Sequence, residues 1–96
     1  MLIETATFRL TADTDESAFL DADRRVQTEF LPNHPGFLRR TTARGHDGEW
    51  LVVVLWNSEN DAASYMSGSE NHPATRAFTA LLDGSTLRTK RYETLD

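Results

Sequence analysis

Seven consecutive residues, Trp50-Leu51-Val52-Val53-Val54-Leu55-Trp56, carry no polar side chain. Side chains of a strand alternate between two faces, so whichever way this pleat points, both faces must be covered. A run of this length is far too short to span a bilayer. It therefore belongs in the interior of a sheet whose two sides are each packed against something.

The remaining segments supply the cover for one side. Leu2, Ala6, Phe8 and Leu10 alternate with Ile3, Thr5, Thr7 and Arg9, the period-2 mark of a strand over 2–10. Asp13 with Glu16 has the spacing of a capping box, and Phe19, Ala22, Val26 and Phe30 form a helical apolar stripe behind it. Pro32, Pro35 and Gly36 end that helix near Leu31. Phe37 to Arg44 reads as a second strand, joined to the apolar run by the turn residues Gly45-His46-Asp47-Gly48 as a hairpin. Ser58 with Asp61 caps a helix over 60–66, with Ala62, Ala63 and Met66 available for packing and Ser67-Gly68-Ser69 as its break. Asn71 is placed to cap a further helix from Pro73, with Ala74, Ala77, Phe78 and Leu81 on its apolar side and Gly84 as its stop. Leu87 to Thr94 closes the chain as a last strand.

The order strand, helix, strand, strand, broken helix, strand predicts an α+β fold: a four-stranded antiparallel sheet with its helices on one face, the ferredoxin-like arrangement. With 96 residues the chain makes one domain, 1–96. Helices cover only one side of such a sheet, and an exposed apolar patch of this size marks an interaction surface. A homodimer through the open sheet face meets the requirement, because an isologous contact lets one surface cover itself.

Composition removes several classes of function. The absence of cysteine excludes disulfides, thiolate metal sites and thiol nucleophiles. A net charge of -5 opposes non-specific attraction to nucleic acid or anionic lipid. The cations Arg39, Arg40, Arg44, Arg88, Lys90 and Arg91 have no interleaved aromatic residues and read as solvated strand edges blunted by charge. No phosphate loop, nucleophile elbow or dinucleotide fingerprint occurs. With no signal-like N-terminus either, the expectation is a cytoplasmic protein without nucleic-acid or membrane partners.

Three passages carry a resemblance that covers nearly the whole chain: Pro35-Gly36-Phe37, Trp56-Asn57-Ser58-Glu59-Asn60-Asp61-Ala62 and Asn71-His72-Pro73. Together they resemble the antibiotic-biosynthesis-monooxygenase-like group of dimeric α/β barrels. The resemblance implies a ferredoxin-like subunit whose sheet packs on a second copy, with a ligand cavity between sheet and helices. It further implies either cofactor-independent oxygenation of quinol-type aromatics or haem degradation. Trp56 matches a tryptophan that lines the cavity, and His72 falls near a histidine of the following helical region. Haem-degrading members place an asparagine on the first strand, where this chain offers Thr5 and Thr7, and Tyr65 stands where some relatives carry another histidine.

The residues themselves narrow the candidates. His34 and His46 lie in turn segments and read as solvated, whereas His72 precedes a helix where the resemblance implies a pocket, which makes it the histidine to nominate as a catalytic base. The competing reading of His72 is a helix-start residue making local hydrogen bonds. Asp23 shares the apolar arc of the first helix, so it needs a partner, and Arg39 or Arg40 on the sheet can supply one. With the cavity that the resemblance implies, the expectation is a mainly apolar pocket between the first helix and the sheet, bordered by Trp56, Tyr65 and His72 with Asp23 at its polar edge, for a small aromatic ligand and with no metal and no cofactor. The expected function is a cofactor-independent monooxygenase, the alternative a catalytically silent homodimer that binds a small ligand or serves as a structural module. A spacious cavity containing His72, Tyr65 and Trp56 favours the first, and one packed shut by Phe19, Phe30 and Phe78 favours the second.

Overall fold

The computed structural model describes residues 1–69 and 71–95, with the side chains of 66, 67 and 69 left aside. Four strands, β1 (Leu2–Leu10), β2 (Phe37–Arg44), β3 (Trp50–Trp56) and β4 (Leu82–Glu93), form one sheet in the order β2-β3-β1-β4. Every pairing is antiparallel. Helices α1 (Glu16–Arg25), α2 (Glu59–Ser69) and α3 (Pro73–Ala80) complete the ferredoxin-like α+β arrangement. Among the described residues no helix is long and apolar enough to cross a membrane.

Strands β1, β2 and β3 begin and end where the sequence pattern puts them, because period-2 alternation and turn residues bound each one. β3 lies between β2 and β1, with Trp50, Val52, Val54 and Trp56 buried on the helix side and Leu51, Val53 and Leu55 half-buried on the other. Phe8, Phe19, Val26, Leu31 and Trp56 are the largest fully buried side chains. Phe19 joins the helix layer to the sheet, its ring 4.6 Å from that of Trp50 and 5.8 Å from that of Phe8. The stripe of α1 is buried as read, but the helical path changes along it: α-helix to Arg25, a π-helical turn over Val26–Phe30 and a 3-10 turn over Leu31–Asn33. Pro32 has no N–H to continue the ladder, so the chain leaves the helix there.

Several boundaries differ from the sequence expectation, each for a local reason. Asp15, not Asp13, caps α1, its carboxylate accepting the Ala18 N–H at 2.7 Å. Glu16 reaches Arg44 on β2 instead of turning back to the cap. Helix α2 continues through Gly68 to Ser69, so Ser67-Gly68-Ser69 does not break it; a Cβ at Gly68 would make only ordinary contacts, 3.6 Å from His34 Cε1. The expected packing of Met66 lies outside the described side chains. His72, not Asn71, caps α3 through its own ring nitrogen. Gly84 does not stop α3, which ends at Ala80. β4 starts at Leu82 because that residue pairs with Leu10 beyond an irregularity in which residues 84–87 of β4 stand opposite Phe8 of β1.

Candidate functional site

Strand register decides which groups meet under the helices. Arg40 on β2 pairs with Val54 on β3, Val54 pairs with Glu4 on β1, and Glu4 pairs with Arg91 on β4. Residues paired across a sheet point to the same face, so Arg40, Val54, Glu4 and Arg91 form one row on the side that carries the helices. The next row on that face is Thr42, Val52, Ala6 and Thr89. Over these rows sits a cavity of about 210 Å³, roofed by Val26, Tyr65 of α2 and Thr75 and Phe78 of α3. Phe78 lines the cavity without closing it.

The cationic end of the row is held from α1. Asp23 is buried and accepts three hydrogen bonds: from Arg40 Nη1 at 2.6 Å, from Thr42 Oγ1 at 3.0 Å and from Gln27 Nε2 at 2.8 Å. The Arg40 and Asp23 side chains are 3% and 7% exposed, and the guanidinium lies 5.4 Å from the Phe78 ring centre. Of the two partners expected for Asp23, the structure selects Arg40. Arg39 is one residue out of phase and lies on the open face with Thr41, Val53 and Leu55. Arg40 is therefore buried, not the solvated edge cation its composition suggested. At the other end, the half-buried Glu4 carboxylate accepts from Arg91 Nε at 3.0 Å. Tyr65 stands between the two charges electrostatically: burial raises the pKa of its hydroxyl above the usual 10.0, Arg40 opposes that rise and Glu4 adds to it. Its hydroxyl is a proton donor throughout the neutral range.

Behind Tyr65 an aromatic cluster fills the space between α2, β3 and the turn after α1. The Trp56 ring is 5.1 Å from Tyr65 and 5.7 Å from His34, and Phe30 lies 5.4 Å from Tyr65 and 4.9 Å from His72. Trp56 is fully buried, so it backs the cavity wall formed by Tyr65. Trp56 Nε1 and His34 Nε2 are buried without a hydrogen-bond partner among the described residues. His72 Nδ1 accepts the Ala74 N–H at 3.1 Å. A neutral ring bonded in that way carries its proton on Nε2 and offers a donor there.

The structure thus brings Tyr65 into the cavity wall, Asp23 one hydrogen bond behind it through Arg40, Trp56 directly behind Tyr65, and His72 to the start of the helix that carries Thr75. His34, read as solvated, is instead packed in the aromatic cluster. Glu4 was missed. The signal was present, since position 4 falls among Leu2, Ala6 and Phe8 in the β1 alternation, whereas Thr5 and Thr7 share the phase of the open face. Among the described residues, no group of three or more His, Asp and Glu is arranged to hold a metal ion.

No protein-family model matches the sequence, and no curated protein matches it. Solved structures match it along its length. SnoaB from Streptomyces nogalater, described as a cofactor-independent oxygenase, superposes with a TM-score of 0.80 at 18% identity, covering 99% of this chain and 93% of that one. A protein of Nitrosomonas europaea, named by inference as an antibiotic biosynthesis monooxygenase, gives 0.76 at 16% identity with 100% of both chains covered. Rv0793 from Mycobacterium tuberculosis gives 0.71 at 15% identity, covering 99% and 95%. At such identities the likeness is one of fold, and in fold this chain resembles the antibiotic biosynthesis monooxygenases from end to end.

Proposed function

We propose that the chain is a cofactor-independent oxygenase acting on a planar hydroxyaromatic or quinol-type molecule held in the cavity over Val52 and Val54. The observation that carries this reading is the Glu4 carboxylate on the floor of an otherwise mainly apolar cavity, with the protonated Tyr65 in its wall. Glu4 takes the proton of the substrate hydroxyl, and Tyr65 donates to the oxyanion that develops. The electron-rich phenolate passes one electron to dioxygen, and the radical pair recombines at a ring carbon bearing hydrogen. Loss of water from the resulting hydroperoxide leaves one oxygen atom as a product carbonyl and the other in the water. Apolar walls keep bulk water from the intermediates. Because the cap occupies His72 Nδ1, Glu4 is better placed than His72 for the base role, and His72→Ala separates the two assignments.

Oxygen uptake in metal-chelated buffer, with a panel of one- and two-ring phenols and hydroquinones, tests the reading. Uptake matched by carbonyl formation is expected, slowed roughly 100-fold or more in Glu4→Gln and little changed in His72→Ala. Loss of turnover in His72→Ala with Glu4→Gln intact would move the base to His72. Ligand binding with no uptake across the panel would leave the silent binding module as the function.

The same reading extends to assembly. The open sheet face carries Ile3, Leu51, Val53 and Leu55 at its centre, with a shallow groove between Ile3, Val53 and Leu55. A second copy seated on this face satisfies the demand that β3 makes on both its sides.

A further inference from the structure

The row Arg40, Val54, Glu4 specifies more than a hydroxyaromatic, and the following rests on the cavity being a ligand site as proposed above. We propose that the ligand is an aromatic hydroxy acid of one or two fused rings, its carboxylate on Arg40 and its hydroxyl on Glu4 at the opposite end. Three observations support this. Arg40 meets Asp23 through a single nitrogen, Nη1, which also donates to Thr42 Oγ1 at 3.2 Å. Nε and Nη2 donate to no described residue, and neither is among the buried nitrogens that lack a partner, so on this cavity-lining side chain both stay accessible. A guanidinium presents a fixed fork of donors suited to a carboxylate.

The second observation is spacing. Strands lie about 4.8 Å apart, so Arg40 and Glu4, two strands apart in one row, have backbones about 10 Å apart with Val54 between them. A flat ring system resting on Val52 and Val54 therefore has Arg40 at one end and Glu4 at the other. The third is volume: a cavity of about 150 Å³ takes one benzene ring, so the 210 Å³ here leaves room for a second fused ring. The hydrogen-bonding characters also agree, since the guanidinium, already paired with Asp23, offers only donors, and the Glu4 carboxylate, already paired with Arg91, offers acceptors. Asp23 acts here as a positioning residue, fixing the guanidinium from behind.

Titration of the full chain with a naphthoic acid bearing a hydroxyl at the far end of its ring system, followed by ligand fluorescence, tests this against the matching hydroxy carboxamide. The acid should bind roughly 10- to 100-fold more tightly, the worth of a charge-assisted hydrogen bond. Joint substitution Asp23→Asn with Arg40→Gln, which leaves neither charge buried alone, should abolish the preference. Equal affinity for acid and amide in the unmodified chain overturns the proposal, as does a preference that survives the double substitution. Should the double variant fail to fold, the comparison of ligands on the unmodified chain decides. Preferential binding of the acid without oxygen uptake upholds this inference and removes the oxygenase reading, whereas equal binding and equal oxygen uptake for acid and amide do the reverse.

Discussion

Asp23 shows how one buried charge organises its surroundings. Its carboxylate oxygens take hydrogen bonds from an arginine, a threonine and a glutamine, so its desolvation is offset only while all three remain. Asp23→Ala strands Arg40 without a counter-charge and is expected to cost about 3 to 5 kcal/mol, read as a fall in the urea midpoint at unchanged slope. Tyr65 gives a prediction in pH. Its folded pKa is raised, so the fold favours the protonated hydroxyl; the associated stability is complete below the unfolded value of 10.0 and is lost as pH climbs from there through the folded pKa. Tyr65→Phe should flatten the alkaline limb of the stability profile above about pH 10, and superimposable limbs would contradict the burial of that hydroxyl. Gly36 is a third sensitive position. It sits at φ +83°, and a Cβ there would come within 2.1 Å of Asp61 Cγ, so Gly36→Ala should destabilise by about 1 to 3 kcal/mol.

At the level of elements, the caps and turns carry the information that the sequence pattern read least well. His72 opens α3 through Nδ1, a geometry that asparagine reproduces with its side-chain oxygen and alanine does not. His72→Ala is expected to cost about 1 kcal/mol and His72→Asn markedly less, measured as thermal midpoints of the two variants; equal losses would deny the capping role. Two of the three passages that carry the family resemblance, 35–37 and 56–62, meet in space. The Asn57 N–H donates to the Gly36 carbonyl at 2.8 Å, Ser58 Oγ donates to Asp61 Oδ2 at 2.7 Å, and the Phe37 and Trp56 rings are 5.9 Å apart. They form the junction that sets the start of α2, and through it the position of Tyr65 over the sheet.

For the whole molecule, the sheet faces differ in charge as well as in packing. Arg39, Arg88 and Lys90 stand in the phase of the open face, where β3 offers only Leu51, Val53 and Leu55. A face-to-face pair of copies brings these like charges together while burying the apolar centre. Dimerisation should therefore tighten as ionic strength rises from about 0.01 M to 0.15 M, over which the screening length falls from about 30 to 8 Å. Sedimentation equilibrium across that range measures it. A monomer at micromolar concentration in all salts would remove the second copy, and tighter association at low salt would place opposite charges across the contact.

The sequence by itself determined the strands β1, β2 and β3, the buried stripe of α1, the antiparallel α+β layering and the need of Asp23 for a partner. Each follows from patterns local to the chain: alternation, helical periodicity and the cost of burying an unpaired carboxylate. Only the tertiary structure decided that Glu4, Arg40 and Arg91 share one row, that His34 packs beside Trp56, and that His72 serves as a cap. The row depends on register between strands far apart in sequence, where a shift of one residue would turn Glu4, Arg40 or Arg91 to the opposite face; the placement of His34 depends on packing against β3 and α2, and the His72 cap on the backbone path into α3.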